Sequence, residues 1–337
     1  MLTQSEFADR LRKARSLLIT THKSPDGHGV GCQLALYNLL RSPDRAVTVL
    51  TVGEIPERYR FLSGAREALD WTMLPDERKP ALLREHELIL VVDTHSYSML
   101  GDLGEVLAAG DDDVLFLDHH PIKGDAPEAI LCDPSASSTG EVCWQVIKAL
   151  DVPVTPEVAT CIYLSIAYDT NFFKYLRRRP ETHRIAAELV ESGADSDEVY
   201  RSAFASKSIS QVALTGAVLR SYQMGEGGMV AWAMLGLDLI QQTKAKPDEL
   251  RDVITQLLEI EGVEVALTFK DRGNGEYKVS MRSKGRYPIN RVAARLGGGG
   301  HMFAAGAHVP GSAEDVTQHV LALVHDLIRE TGTHQQA

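Results

Sequence analysis

Three apolar runs in the first 120 residues end in the same way. Leu17-Leu18-Ile19-Thr20-Thr21 gives way to His22-Lys23-Ser24-Pro25-Asp26-Gly27-His28, Leu88-Ile89-Leu90-Val91-Val92 to Asp93-Thr94-His95, and Val114-Leu115-Phe116-Leu117 to Asp118-His119-His120. Continuous rather than alternating apolar character marks strands buried on both faces, the signature of a parallel sheet. After the Gly- and Pro-punctuated turn at 23–29, Val30 to Leu40 carries apolar residues at helical spacing. Strand, polar turn and helix in alternation predict an α/β domain whose strands run parallel and deliver ligand-binding groups at their carboxyl ends. Ala46 to Val52 predicts another strand, and Ile55 to Gly64 a loop with a short helix. The polar loop Asp133 to Glu141 enters a helix reaching about Leu150, and Pro156 opens a further helix that ends in Tyr168-Asp169, a fourth carboxylate at an element's end.

The second half changes character. Glu181 to Ser192, Ser196 to Ala203 and Ser208 to Met224 read as helices, followed by Gly225-Glu226-Gly227-Gly228, the best candidate for a domain boundary. Strands are predicted at Met229 to Met234, Val263 to Phe269 and Tyr277 to Arg282, and helices at Pro247 to Ile260 and Ala313 to Glu330. This divides the chain into residues 1–190, a helical connector 191–225 and a smaller α/β domain 226–337. Within the last, Gly297 to Gly300 followed by His301 could let backbone amides approach a phosphate closely, with Arg282 and Ser283 nearby; a flexible loop is the plainer alternative.

Composition narrows the picture. A length of 337 residues suggests two domains, and 44% apolar with 24% charged residues is ordinary for a soluble globular protein. No run approaches the roughly 18 apolar residues of a membrane span, and Met1 to Arg15 has no signal-peptide core, so a cytoplasmic protein is expected. Cys32, Cys132, Cys143 and Cys161 form no C-x-x-C pair and read as small buried thiols. A net charge of −11 argues against broad binding to duplex nucleic acid. Between Arg272 and Arg295, however, seven basic residues are opposed only by Glu276, which suits either a local phosphate-binding surface or a solvated face.

The imidazoles and carboxylates at the strand ends are competent metal ligands, although each alone could be a cap or a surface residue. Taken in order, His22-x-x-x-Asp26-x-His28, Asp93, Asp118-His119-His120, Asp169 and Gly297 to His301 resemble the DHH phosphoesterase superfamily with its DHH-associated C-terminal domain. Ser138-Thr139-Gly140-Glu141 and Arg282-Ser283 support the resemblance, which covers nearly the whole chain. Within it, the chain looks like the bacterial oligoribonucleases that also dephosphorylate 3′-phosphoadenosine 5′-phosphate (pAp).

The resemblance implies two lobes flanking an active-site cleft and two divalent cations, Mn²⁺ first among them. By it, His22, Asp26 and Asp93 would hold the first cation, Asp93 would bridge, and His28, His119 and Asp169 would complete the second. His28 stands where the family normally has an aspartate, which leaves room for Co²⁺ or another metal. Asp93 and His120 would be catalytic, with His120 facing the scissile phosphate. Arg282, Ser283, Gly299, Gly300 and His301 would hold the substrate. The implied substrates are short single-stranded RNA, dinucleotides and pAp, with no membrane partner and room for a homodimer. A cyclic-dinucleotide phosphodiesterase, a single-strand exonuclease and a nucleotide-binding regulator without catalysis are the competing readings.

Overall fold

The computed structural model describes residues 1–122, 127–176, 179–246 and 249–333, without the side chains of 251, 252, 301, 332 and 333. Pro247, the expected start of a helix, and the last four residues lie outside them. The chain forms two compact units, Met1–Ser206 and Lys207–Ala337.

The first unit contains, in order, α1 (Gln4–Lys13), β1 (Ser16–Thr21), α2 (Gly27–Leu40), β2 (Ala46–Thr51), β3 (Leu69–Asp70), α3 (Arg78–Arg84), β4 (Leu88–Val92), α4 (Asp102–Ala109), β5 (Val114–Asp118), β6 (Ile130–Cys132), α5 (Thr139–Leu150), α6 (Pro156–Asp169), α7 (Pro180–Glu191) and α8 (Ser196–Val199). Its sheet has the order β3-β2-β1-β4-β5-β6, and every pairing is parallel, as the apolar runs predict. From β1 the chain moves outward through β2 and β3, then returns to place β4 on the other side of β1. That reversal leaves a crevice beyond the carboxyl ends of β1 and β4, where open α/β sheets bind ligands. Thr21 pairs with Val92, and Val92 with Leu117, so the residues that follow the three strands emerge side by side.

Helices cover both faces. Leu17, Ile19, Leu90, Val92, Leu115 and Leu117 point into a core shared with α1, α2, α5 and α6. Leu18, Ile89, Val91 and Phe116 point the other way, towards α3, α4 and Trp71. Successive residues of each strand therefore both lie in apolar surroundings, which is why the runs do not alternate.

Helix α2 is buried almost all round, and Gly31 lets it approach α6. A Cβ at residue 31 would stand 2.5 Å from the Cys161 carbonyl oxygen and 2.9 Å from the Ser165 Cβ. A Gly31→Val change should therefore destabilise the unit by about 3 kcal/mol or more, because backbone rather than a flexible side chain must yield. A urea unfolding midpoint equal to the parent's would contradict this packing.

The second unit contains α9 (Ile209–Ser221), β7 (Gln223–Gly225), β8 (Val230–Leu235), α10 (Leu237–Thr243), α11 (Glu249–Leu258), β9 (Val265–Asp271), β10 (Glu276–Ser283), α12 (Asn290–Arg295), β11 (Gly299–His301), β12 (Ala304–Pro310) and α13 (Ala313–Thr333). Its sheet, β11-β12-β10-β9-β8-β7, is antiparallel except for the β8–β9 pair. The Gly225–Gly228 stretch lies inside this unit, where residues 226–228 turn the chain from β7 back into β8. Among the described residues, no helix is long and apolar enough to cross a membrane.

Candidate metal centre

The crevice gathers His22, Asp26, His28, Asp93, Asp118, His119, His120 and Asp169, delivered by β1 and α2, β4, β5 and the end of α6. Asp26 caps α2 by accepting from the His28 amide at 3.0 Å and the Gly29 amide at 3.4 Å. It thus serves local structure while aiming its carboxylate at the crevice. Asp93 has a φ of 68°, a left-handed conformation uncommon for a residue with a side chain. Its amide still bonds to the Leu117 carbonyl at 2.8 Å, so the strand pairing holds the unusual turn in place.

Among the described residues, three groups bring ligand atoms within 4.8 Å of one another: His22, Asp26 and Asp93; Asp93, His119 and His120; His28, His119 and Asp169. Asp93 and His119 each belong to two groups, so the ligand atoms form one continuous centre.

Hydrogen bonds decide what each imidazole can offer. His22 Nδ1 lies 3.0 Å from its acceptor, the Lys23 carbonyl, and so carries the hydrogen. The opposite nitrogen, Nε2, faces Asp93 Oδ2 at 3.5 Å and Asp26 Oδ1 at 3.7 Å. His119 repeats the arrangement: Nδ1 donates to the Ala136 carbonyl at 3.2 Å, while the buried Nε2 has no hydrogen-bond partner and faces Asp169 Oδ2 at 3.5 Å. A lone pair set against carboxylate oxygens is repulsive unless a cation lies between them. Both rings thus fit metal ligation through Nε2, oriented by a backbone carbonyl on the far side.

The electrostatics agree. Burial opposes charge on His22, yet hydrogen bonds and attraction from Asp26 and Asp93 raise its pKa to about 11, so a proton occupies the negative potential that suits a metal. Burial lowers that of His119, which keeps its ring neutral and able to ligate. Burial would raise Asp93, but His28 and His22 hold it well below the ordinary carboxylate value.

Asp118 does different work. Fully buried, it accepts from His95 Nδ1 at 2.6 Å through one oxygen; through the other it accepts from His120 Nδ1 at 2.6 Å and the His119 and His120 amides at 2.8 and 3.2 Å. Burial would raise its pKa, and the two imidazoles bring it down to about 2. For His120, burial is outweighed by Asp118, and the ring's pKa rises. With Nδ1 committed to Asp118, the chemistry His120 can offer lies at Nε2.

His28 is in the centre but bonded in the opposite sense to His22 and His119. Its Nε2 accepts from the Thr139 amide at 2.8 Å, and its Nδ1 lies 3.0 Å from Asp93 Oδ2 and 3.9 Å from Asp169 Oδ1. Burial opposes charge on it while Asp93 and Asp169 favour a second proton, but that proton would have to sit on Nε2, where the Thr139 amide already points.

Two participants, Thr139 and His95, are not among the site residues assigned from the sequence. Thr139 Oγ1 donates to Asp93 Oδ1 at 2.9 Å. The first turn of α5 spends its Thr139 amide on His28, and its Glu141 amide on the Ser138 cap. His95 joins through Asp118, and its position two residues after Asp93 was the signal that could have found it.

The second unit places Arg282 on the same sheet face as Lys278 and Ser280, half-buried, with a guanidinium hydrogen bond to the Met281 carbonyl at 3.0 Å. Ser283 points to the core face, and its hydroxyl oxygen accepts from the Gly285 and Tyr287 amides. Gly299 and Gly300 belong to β11 and pair with Gly306 and Ala305 of β12, so the glycine run is a hairpin arm rather than an open loop. A Cβ at Gly300 would lie 2.6 Å from the Ala304 carbonyl oxygen, whereas at Gly299 it would meet nothing within 4 Å. The side chain of His301 lies outside the described residues.

Comparison with known proteins follows this layout. Residues 16–166 match the model of the DHH family, N-terminal domain, and residues 228–330 that of the DHHA1 domain. A bifunctional oligoribonuclease and PAP phosphatase, NrnA, of Thermus thermophilus is 29% identical over 318 residues, covering 94% of this chain and 91% of that protein. The cyclic-di-AMP phosphodiesterase GdpP of Geobacillus thermodenitrificans is 26% identical over 333 residues, covering 94% of this chain but 48% of the other. Among solved structures, an exopolyphosphatase-related protein from Bacteroides fragilis superposes with a TM-score of 0.89 at 25% identity, covering 99% of this chain and 97% of that one.

Proposed function

Since the chain belongs to the DHH family and carries a DHHA1 domain, we propose that it is a metal-dependent phosphohydrolase acting on very short RNA and on pAp. It would release 5′-mononucleotides from linear di- and oligoribonucleotides and AMP from pAp. The observation that carries this reading is the pair of imidazoles, His22 and His119, whose Nε2 atoms face carboxylates across gaps that suit cations. In this assignment His22 and Asp26 would hold one cation, His119 and Asp169 a second, and Asp93 would serve both.

Carboxylate and imidazole donors without a thiolate suit Mn²⁺, with Co²⁺ an alternative. Two such cations, when bound, polarise a phosphate and make water nucleophilic at neutral pH. The chain's own contribution is orientation and proton transfer. Asp118 fixes the His120 ring and favours its charged form, which would attract the phosphate and donate a proton from Nε2 to the leaving oxygen. Arg282, Ser283 and the backbone at Gly299 and Gly300 are assigned to the substrate, with His301 named on the family pattern alone.

The test is turnover of a linear diribonucleotide, a pentanucleotide, a 24-mer, pAp and cyclic di-AMP, side by side with Mn²⁺. The dinucleotide and pAp should be hydrolysed fastest, and equal rates on the 24-mer would contradict the small-substrate reading. Cyclic di-AMP as the best substrate would favour the second reading, a cyclic-dinucleotide phosphodiesterase, which the similarity to GdpP supports. No turnover would favour a nucleotide-binding regulator.

Arg282→Ala should raise KM for nucleotides at least about tenfold, the loss of a charge-assisted phosphate contact, while metal content stays unchanged. Loss of metal together with affinity would show that Arg282 supports the metal centre instead.

A further inference from the structure

With the His120 ring already tied to Asp118, the other three histidines of the metal centre, His22, His28 and His119, divide by what lies behind each ring. Behind His22 and His119 is a carbonyl, which requires a hydrogen on Nδ1 and leaves Nε2 with a lone pair for a cation. Behind His28 is an amide: the Thr139 N–H points at Nε2 from 2.8 Å and requires a lone pair there. A neutral imidazole has a single hydrogen, so it must then sit on Nδ1, the atom facing Asp93. The ring satisfies Asp93 as a donor, without any cation between them.

The alternatives cost more. Turning the ring by half a revolution would set a carbon against the Thr139 amide and leave a buried donor at the start of α5 unpaired. Adding a second hydrogen at Nε2, as the carboxylates favour, would bring it directly against that of Thr139. Ligation through Nδ1 would remove the hydrogen that balances the Thr139 bond and leave an imidazolate. Burial is nearly complete, with 4% of His28 exposed, so water does not relieve any of these.

We propose that His28 is not a cation ligand but a fixed hydrogen-bond donor that positions Asp93, with Thr139 holding its tautomer, and that only Asp93, His119 and Asp169 hold the second cation. This rests on the proposed metal centre and changes how its second half works. The second cation then has one protein ligand fewer than an aspartate at position 28 would give, and more of its coordination positions face water or the substrate's phosphate. It binds more weakly than the first, and the centre loads in two steps.

The test uses full-length protein with ¹⁵N-labelled histidine and long-range proton–nitrogen spectra, without metal and then with saturating Zn²⁺, a diamagnetic cation that accepts imidazole and carboxylate. The His28 signals are assigned by their absence from His28→Asp. The expected result is a hydrogen on His28 Nδ1 and none on Nε2, unchanged by Zn²⁺, while the Nε2 signals of His22 and His119 shift. A His28 proton on Nε2, two protons on the ring, or loss of the Nδ1 proton when Zn²⁺ is added would overturn the proposal. If no histidine responds to Zn²⁺, the metal-centre reading fails, and the metal-free tautomer of His28 still decides whether it is the fixed donor. Calorimetry gives a second arm: His28→Asp supplies a new anionic ligand and should tighten the second cation about tenfold or more. Unchanged affinity would mean that His28 was already a ligand.

Discussion

Replacing Asp93 by asparagine should abolish hydrolysis while leaving the protein folded. Asp93 is 4% exposed, and its oxygens take hydrogen bonds from Thr139 and His28 while also facing His22. It is the carboxylate common to both proposed cation positions. An amide keeps the shape but removes the charge and turns one oxygen into a donor, facing ligands that need an acceptor. Bound cations supply several kcal/mol of transition-state stabilisation, so activity should fall by at least about 10³-fold. The fold should survive for a local reason. Residue 93 has a φ of 68°, and asparagine is among the residues that tolerate the left-handed region best. Circular dichroism and the unfolding midpoint should match the parent. Activity above a few per cent would remove the shared-ligand role.

The second large effect is expected at Asp118, whose side chain touches none of the proposed cation positions and acts through His120. In Asp118→Asn the remaining carbonyl can still accept the His119 and His120 amides, so the turn after β5 should persist. The negative charge that raises the His120 pKa is gone, and that pKa should fall. If the reaction needs His120 protonated, activity is present below its pKa and lost as the pH rises through it. The basic limb of the kcat/KM profile should therefore move to lower pH, with no loss on its acid side and, at pH 8, a loss of about tenfold for each unit by which the limb moves. Metal content should remain that of the parent. A uniform loss at all pH values, or a loss of metal, would mean that Asp118 is a structural or ligating residue instead.

The three strands that deliver the centre were legible because parallel strands buried on both faces leave unbroken apolar runs, and each run stops at an ionisable residue. That Asp93 would lie between His22 and Asp118 was not legible in any run; it follows from strand order, with β4 beside β1 and β5, which no local pattern encodes. The tautomer of His28 was hidden for the same reason. It depends on an amide 111 residues away, and backbone amides carry no side-chain signature. The glycine run has a second reason that the sequence did not show. Four glycines suggest a loop for phosphate, and at Gly298 and Gly300 a side chain would also collide with β12, so close strand packing asks for glycine at those two positions whatever the run binds. Asp118 looked like one more candidate ligand in an Asp-His-His sequence, and only its position beneath His95 and His120 separates its work from that of His119.

Metal binding tests the central claim most directly. Protein stripped with a chelator and titrated calorimetrically with Mn²⁺ should bind two cations per chain, with turnover of a diribonucleotide appearing as the second is taken up. One cation per chain supporting full turnover would contradict the two-cation centre, and turnover that persists in the stripped protein would contradict metal dependence altogether.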